Sequence, residues 1–198
     1  MSDDTATEIL AATYRALCRH GYADLTLADV ADEADRSKAA IHYYYDREAL
    51  FVEFLDFLYE RYTVRLPSVD GGTPRDQLSA LLAAVLTDEG AAPDQRLRTA
   101  LLAVRAQAPY DDAVQTRLSN FDAVRYERLR DIIAAGVESG EFDATVEPAV
   151  AAEFLVTAVT GAHTRRVAVK RSSETLYETI TWYVDRQLLA DEVPEAAH

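Results

Sequence analysis

Residues 25–50 read LTLADVADEADRSKAAIHYYYDREAL, and the fold turns on how this stretch divides into helices. Thr26 followed by Asp29 is a capping-box-like start: the hydroxyl accepts an orphan backbone N–H, and the acid sits at the positive end of the helix. A helix over 27–34 follows. Ser37 is a second N-cap, so the spacing predicts another helix from Lys38 to Tyr44 or Tyr45. Two short capped helices joined by a tight turn at Asp35 and Arg36 outline a helix-turn-helix.

On the second of these helices, Ile41 and Tyr45 form an i, i+4 apolar pair that can pack on Val30, Ala31 and Leu17. The other side presents Lys38, Ala39, His42 and Tyr43. Small Ala39 and Ala40 permit close approach to a base edge, where either can meet a thymine methyl. Lys38 can donate to guanine or to phosphate, and tyrosine or histidine can reach phosphate oxygens. An aromatic triplet is ordinarily core, with its neighbouring charges a solvated face. Successive helical residues diverge by about 100°, however, so Tyr43, Tyr44 and Tyr45 cannot all point inward. A tyrosine suits the exposed edge because it buries a ring and still presents a hydroxyl.

The chain around this stretch has 198 residues, 49% of them hydrophobic, which is enough to bury a core in one large domain or two small ones. The opening MSDDTATEIL has no basic flank and apolar run, and no stretch approaches the ~18 apolar residues of a membrane span, so a cytoplasmic protein with no membrane partner is expected. Cys18 is alone, which excludes an internal disulfide and a structural zinc site built from cysteines. Its setting, ALCRH, is that of a small buried residue. Against 34 acids stand 20 cations, a net charge of −14, and the only lysines are Lys38 and Lys170. Acid-rich, lysine-poor chains suit a very salty cytoplasm, which points to a halophilic source. The acidity opposes binding to a polyanion, so contact with nucleic acid has to rest on a local patch. Arg36, Lys38 and Arg47 against Asp46, three cations against one acid, leave +2 over residues 36–47.

No run of alternating β-branched residues bounded by turns appears, whereas apolar patterns of helical period recur throughout. The expected fold is all-α. A first helix over 4–20 places Ile9, Ala12, Ala16 and Leu17 inward and stops at Gly21. A longer helix from Asp46 carries Leu50, Phe54, Phe57, Leu58 and Arg61 to about Leu66 and ends before PSVDGGTP at 67–74. Further helices are expected over 74–88, 94–108, 111–139, 147–169 and 173–190. Gly90 with Pro93, Pro109, Gly140, Pro148 and residues 171–173 punctuate them.

The segments ILAATYRAL ending at GY, then LTLADVADEADRSKAAIHYYY, then REALF resemble the DNA-binding region of the TetR (tetracycline repressor-like) family of transcription regulators over residues 5–58. The later helices, including GEFDATVEP, resemble that family's C-terminal region more diffusely. The resemblance implies a three-helix helix-turn-helix domain over 1–46, a connecting helix over 47–66, a helical effector-binding and dimerisation domain over 67–190, and a flexible tail over 191–198. It implies that Thr26 meets phosphate, that Ser37, Lys38, Ala39, Ala40, His42, Tyr43 and Tyr44 occupy the recognition positions, and that Arg47 is a phosphate clamp. Three positions depart from the family's pattern. Asp35 stands where a glycine is usual, His42 stands where a tyrosine is commoner and so makes a phosphate contact pH-dependent, and the link before Arg47 is one residue short.

The last two helices carry Val150, Phe154, Ala158, Gly161 and Ala162, then Leu176, Ile180, Tyr183, Val184 and Leu188, at helical spacing. Intrachain core is the simplest account of either stripe alone. Small Ala158, Gly161 and Ala162 admit a close helix, and the family pairs these helices in a four-helix bundle. Phe154, Ala158, Gly161, Ala162, Ile180, Tyr183 and Val184 are therefore the expected homodimer interface. Such a dimer presents two recognition helices to a pseudo-palindromic site in double-stranded DNA. Arg105, Tyr110, Phe121, Tyr126 and His163 are candidate contacts for a small apolar or aromatic effector, although a lone His163 is more often a satisfied core residue.

No P-loop, dinucleotide fingerprint, nucleophile elbow or clustered His and Cys set is present, which opposes an enzyme, and neither a cofactor nor a metal is expected. The expectation is a homodimeric DNA-binding repressor relieved by an effector. A helical protein-interaction module using the exposed tyrosines is the rival reading.

Overall fold

The computed structural model describes residues 2–63, 72–87 and 95–189. Residues 67–71 of PSVDGGTP, Gly90 with Pro93, and the tail over 191–198 lie outside the described residues. The described helices are α1 (Ser2–His20), α2 (Leu27–Glu33), α3 (Lys38–Tyr44), α4 (Arg47–Thr63), α5 (Pro74–Leu86), α6 (Gln95–Gln107), α7 (Asp112–Ser139), α8 (Pro148–Val169) and α9 (Ser173–Gln187). A 3-10 turn at Ala108–Tyr110 separates α6 from α7. Among the described residues there is no strand, only an isolated antiparallel bridge between Phe142 and Leu189.

The chain forms two compact units, Met1–Arg65 with Pro93–Phe121, and Leu66–Ala92 with Asp122–His198. This division does not follow the boundary drawn from sequence at residue 66. Helix α6 and the start of α7 group with the helix-turn-helix, because Leu97, Ala100, Val104 and Val114 share its core. That core is built from Ile9, Ala12, Ala16 and Leu17 of α1, Val30 and Ala31 of α2, Ile41 of α3, and Leu50, Phe54 and Leu58 of α4, all buried. Arg117 adds a forked ion pair to Asp56, donating from Nε to Oδ1 and from Nη2 to Oδ2 at 3.1 Å each, and Phe121 stacks on Tyr59 at 4.8 Å.

In the second unit, α5 packs on α8 and α9, and α8 packs on α9. Its core contains Leu78, Leu82, Ile133, Phe142, Leu155 and Val159. Pro148 occupies the first turn of α8, where its missing N–H costs nothing. At Gly136 the ring of Phe142 lies where a Cβ would stand, and the Phe142 N–H donates to the Gly136 carbonyl at 3.0 Å. Glycine is required there by close approach, since the backbone is ordinary helix.

Candidate nucleic-acid interface

The placement of the recognition segment begins with local hydrogen bonds. Thr26 caps α2: its Oγ1 accepts from the Asp29 N–H at 3.3 Å, while the Thr26 N–H donates to Asp29 Oδ2 at 2.8 Å. The Thr26 hydroxyl also donates to Asp29 Oδ2 at 2.6 Å, and these bonds hold the Asp29 carboxyl below its ordinary pKa. At the other end of α2, the Asp35 N–H donates to Asp32 O at 3.3 Å and the Arg36 N–H to Ala31 O at 3.0 Å. That pair of bonds is a Schellman motif, and it puts Asp35 in the left-handed region at φ 52°. The glycine departure is thus real in geometry as well as in sequence.

Ser37 caps α3 by accepting from the Ala40 N–H at 3.2 Å. Tyr45 then turns extended, at φ −144°, and Asp46 caps α4 directly through a 2.8 Å bond from the Ala49 N–H to its Oδ1. Two residues therefore suffice to join α3 to α4, and Arg47 opens the first turn of α4.

Around α3, Ile41 is fully buried and Tyr45 half-buried, and burial raises the Tyr45 pKa. Ser37, Lys38, Ala39, His42, Tyr43 and Tyr44 are exposed, and Ala40 is partly so. Tyr43 is 85% exposed and Tyr44 38%, with their rings edge to face at 5.4 Å. An edge-to-face pair stiffens both rings on the open side of the helix. Thr26 and Arg47 are exposed as well, and the Arg47 guanidinium lies 6.0 Å from the ring centroid of Tyr22. Arg36, counted with this patch in the sequence, is committed to Glu8 of α1 at 2.6 Å. Among the described residues, the cations beside α3 that make no ion pair are therefore Lys38 and Arg47.

The expected effector residues fall in both units. Arg105 is half-buried on α6, Tyr110 is 86% exposed, and Phe121 is half-buried against Tyr59. Tyr126 packs at the edge of the second core. His163 lies with Nε2 2.9 Å from the Val85 carbonyl; the carbonyl only accepts, so Nε2 carries the proton. It is the satisfied histidine that its lone position suggested. Near it, Leu81, Leu82, Val85, Arg125, Arg128, Leu129, Val156 and Val159 line a cavity of about 20 Å³. Arg125 bonds to Asp122 at 3.3 Å, and burial lowers the pKa of its guanidinium. Arg125 and Arg128 were not among the sequence candidates. Their signal is the i, i+3, i+4 spacing with Leu129, which puts charges on an inward face.

Of the seven residues expected at a dimer interface, Ala162, Ile180 and Val184 are buried in the second unit's own core. They are corrected to intrachain packing. Helix α8 is apolar around most of its circumference, so periodicity alone does not select its outer face. Phe154 is 43% exposed and meets Tyr183 at 4.4 Å, Gly161 is exposed, and Ala158 is half-buried. Val150 at 62% and Trp182 at 64% add large exposed apolar surface to α8 and α9. Trp182 was missed because it lies off the stripe read from sequence.

Residues 9–54 match the model for bacterial regulatory proteins of the tetR family, and residues 74–189 match that for the C-terminal region of BetI-type transcriptional repressors. The fold is similar to that of a TetR transcription regulator from Haloarcula marismortui, at 37% identity and a TM-score of 0.86, covering 94% of this chain and 99% of that one. A TetR-family regulator from Rhodococcus sp. shares 24% identity, with a TM-score of 0.79 over 92% of this chain and 98% of the other. A transcriptional regulator from Saccharomonospora viridis in complex with choline shares the fold at 18% identity and a TM-score of 0.82, over 96% of this chain and all of that one. Comparison with the curated proteins found no match.

Proposed function

The chain belongs to the TetR family of transcription regulators, DNA-binding proteins that are not enzymes, and from that premise we propose that it is a homodimeric repressor whose grip on a pseudo-palindromic operator is relieved by a small effector. One observation carries the DNA-reading part: α3 buries Ile41, with the half-buried Tyr45 just past its end, while turning Lys38, Ala39, His42, Tyr43 and Tyr44 outward together. In this reading Ala39 and Ala40 approach base edges, Lys38 and Tyr43 supply specific or phosphate contacts, and Thr26, Ser37, Tyr44 and Arg47 hold the backbone. Since Lys38 and Arg47 are the cations beside α3 that make no ion pair among the described residues, affinity rests on hydrogen bonds, apolar contact and DNA shape more than on charge.

The dimer reading is supported by the exposed apolar surface of Val150, Phe154, Gly161 and Trp182 on α8 and α9, with Tyr183 half-buried against Phe154. A two-fold interface buries such a surface and sets two recognition helices about one turn of DNA apart, ~34 Å. The effector reading is supported by the apolar cavity beside α7 and α8. At about 20 Å³ it has room for roughly one water, so an apolar or aromatic molecule enters only by parting the helices around it. That displacement is the route by which binding weakens operator contact. Acid-rich composition together with the Haloarcula relative supports a salt-rich cytoplasm as the working medium.

The test is selection of bound genomic fragments in molar salt, followed by mobility shifts with Lys38→Ala combined with Tyr43→Ala. Loss of the shift with an unchanged dimer mass by light scattering is the expected outcome. A double variant that shifts the cognate fragment normally sinks the assignment of α3, and a monomeric wild type sinks the two-fold mechanism.

A further inference from the structure

The cationic side chain of Arg47 makes no ion pair among the described residues, and it stands at the edge of a cavity inside the first unit. The cavity measures about 320 Å³, which is the low end of the range that holds small organic ligands. Its inner wall is apolar and buried, formed by Leu25, Leu27, Leu50, Phe51 and Val114. The wall also carries Thr13, Thr26 and Tyr110, and four further polar side chains bear on a charged ligand: Tyr22, Arg47, Glu48 and Asp111.

Each of these four groups has a definable state. Asp111 is occupied as the cap of α7, its Oδ1 accepting from the Ala113 and Val114 N–H groups at 3.0 Å each. Glu48 is exposed to solvent in the first turn of α4. Tyr22 is held by its ring against Phe51 at 4.7 Å, and burial raises the pKa of its hydroxyl, so it remains a donor at neutral pH. Arg47 rests on the other contact that Tyr22 offers, its guanidinium 6.0 Å from the ring centroid. A guanidinium engaged only through an aromatic face keeps its forked N–H donors, and that fork matches a carboxylate in two parallel bonds.

We propose that this cavity is a binding site for a small monocarboxylate with an apolar or aromatic body, its carboxylate on the Arg47 fork and the Tyr22 hydroxyl and its body against Leu25, Leu50 and Phe51. Of the wall's two carboxylates, Glu48 faces solvent and Asp111 is engaged with two N–H groups, whereas a molecule without a carboxylate leaves the Arg47 fork unused. The site lies in the helix-turn-helix unit, apart from the cavity beside α7 and α8. Arg47 also has the proposed phosphate contact, so carboxylate and operator phosphate compete for one guanidinium. That coupling rests on the DNA reading, whereas the binding does not.

Isothermal titration of the full chain in molar potassium chloride with 3-phenylpropionate, against 3-phenylpropionamide as neutral counterpart, tests the site. One acid per chain is expected, with the amide at least tenfold weaker. Arg47→Gln is expected to weaken the acid at least tenfold and leave the amide unchanged, and Ala113→Trp, on an exposed wall position, to block both. Absence of saturable binding, equal affinity for acid and amide, or unaltered acid binding in Arg47→Gln and Ala113→Trp overturns the proposal. With the selected operator fragment, saturating acid is expected to weaken wild-type binding several-fold. Unchanged operator affinity at saturation overturns the coupling. A protein that bound no DNA at all would still give the titration result, so the two readings fail separately.

Discussion

Replacing Gly136 by alanine sets two calculable effects against each other. In a helix interior alanine is favoured over glycine by about 1 kcal/mol. The added Cβ would stand 2.2, 2.5 and 2.8 Å from three carbons of the Phe142 ring, which is 1% exposed. Carbon atoms pack at about 3.5–4.0 Å, so the ring has to retreat by more than about 1 Å. It has little room to do so. The Phe142 N–H is bonded to Gly136 O at 3.0 Å, and the next N–H, of Asp143, to Leu188 O at 2.8 Å. Overpacking of this kind costs about 1–3 kcal/mol, and complete expulsion of a core phenylalanine about 3–5 kcal/mol. Subtracting the helical gain leaves a net loss of about 2 kcal/mol, or roughly 4–8 °C in melting temperature for a chain of this length. Thermal unfolding followed by circular dichroism in molar potassium chloride measures it. The decisive control is the Phe142→Ala background, where the ring is absent and Gly136→Ala should stabilise by up to about 1 kcal/mol. Equal effects of Gly136→Ala in the two backgrounds, or a Gly136→Ala protein as stable as wild type, would refute the close-approach account.

Thr26→Ala removes the cap of α2 and should cost about 1 kcal/mol in unfolding free energy. Because hydrogen bonds from Thr26 depress the Asp29 pKa in the folded state, their contribution is present above the unfolded carboxyl pKa and is lost as pH falls through the lower folded value. Acid titration of unfolding should therefore show the gap between Thr26→Ala and wild type narrowing below about pH 4, as the carboxylate-linked part is lost; a constant gap throughout would contradict the sign. Asp35→Gly relieves a left-handed residue at φ 52° and should stabilise by up to about 1 kcal/mol, whereas Asp35→Val should destabilise, the order being read from denaturant midpoints. In the DNA-binding reading, Lys38→Ala should flatten the log–log salt dependence of operator affinity by about 0.9 per contact, near 1.8 for a dimer. Glu8→Gln should steepen it by releasing Arg36 from its 2.6 Å ion pair, and fluorescence polarisation across salt concentrations checks both.

The residues legible in advance share a physical feature: their roles are settled within one turn of chain. Thr26, Ser37 and Asp46 each satisfy an N–H group three residues ahead, so α2, α3 and α4 start where the caps stand. Gly21 and Gly140 adopt positive φ at helix ends for a similarly local reason. Ile41 and Tyr45 turn inward because their neighbours on α3 are polar or small. Where a helix is apolar all round, as α8 is, the outer face depends on which side its neighbours take. Ala162 consequently went to the core while Phe154 stayed exposed.

By itself, then, the amino-acid sequence determined an all-α chain, the positions of the helix caps and a short third helix with Lys38, His42 and Tyr43 on its exposed side, since hydrogen-bond closure and helical period act over a few residues. Only the tertiary structure decided matters that join distant segments. Leu97, Ala100, Val104 and Val114 completed the first core, Arg36 was taken up by Glu8, Phe142 claimed the space at Gly136, and Tyr22 brought Arg47 to the mouth of a cavity. Each of these joins residues that lie apart along the chain, and which partner a side chain meets is fixed by how whole helices pack and not by any local preference.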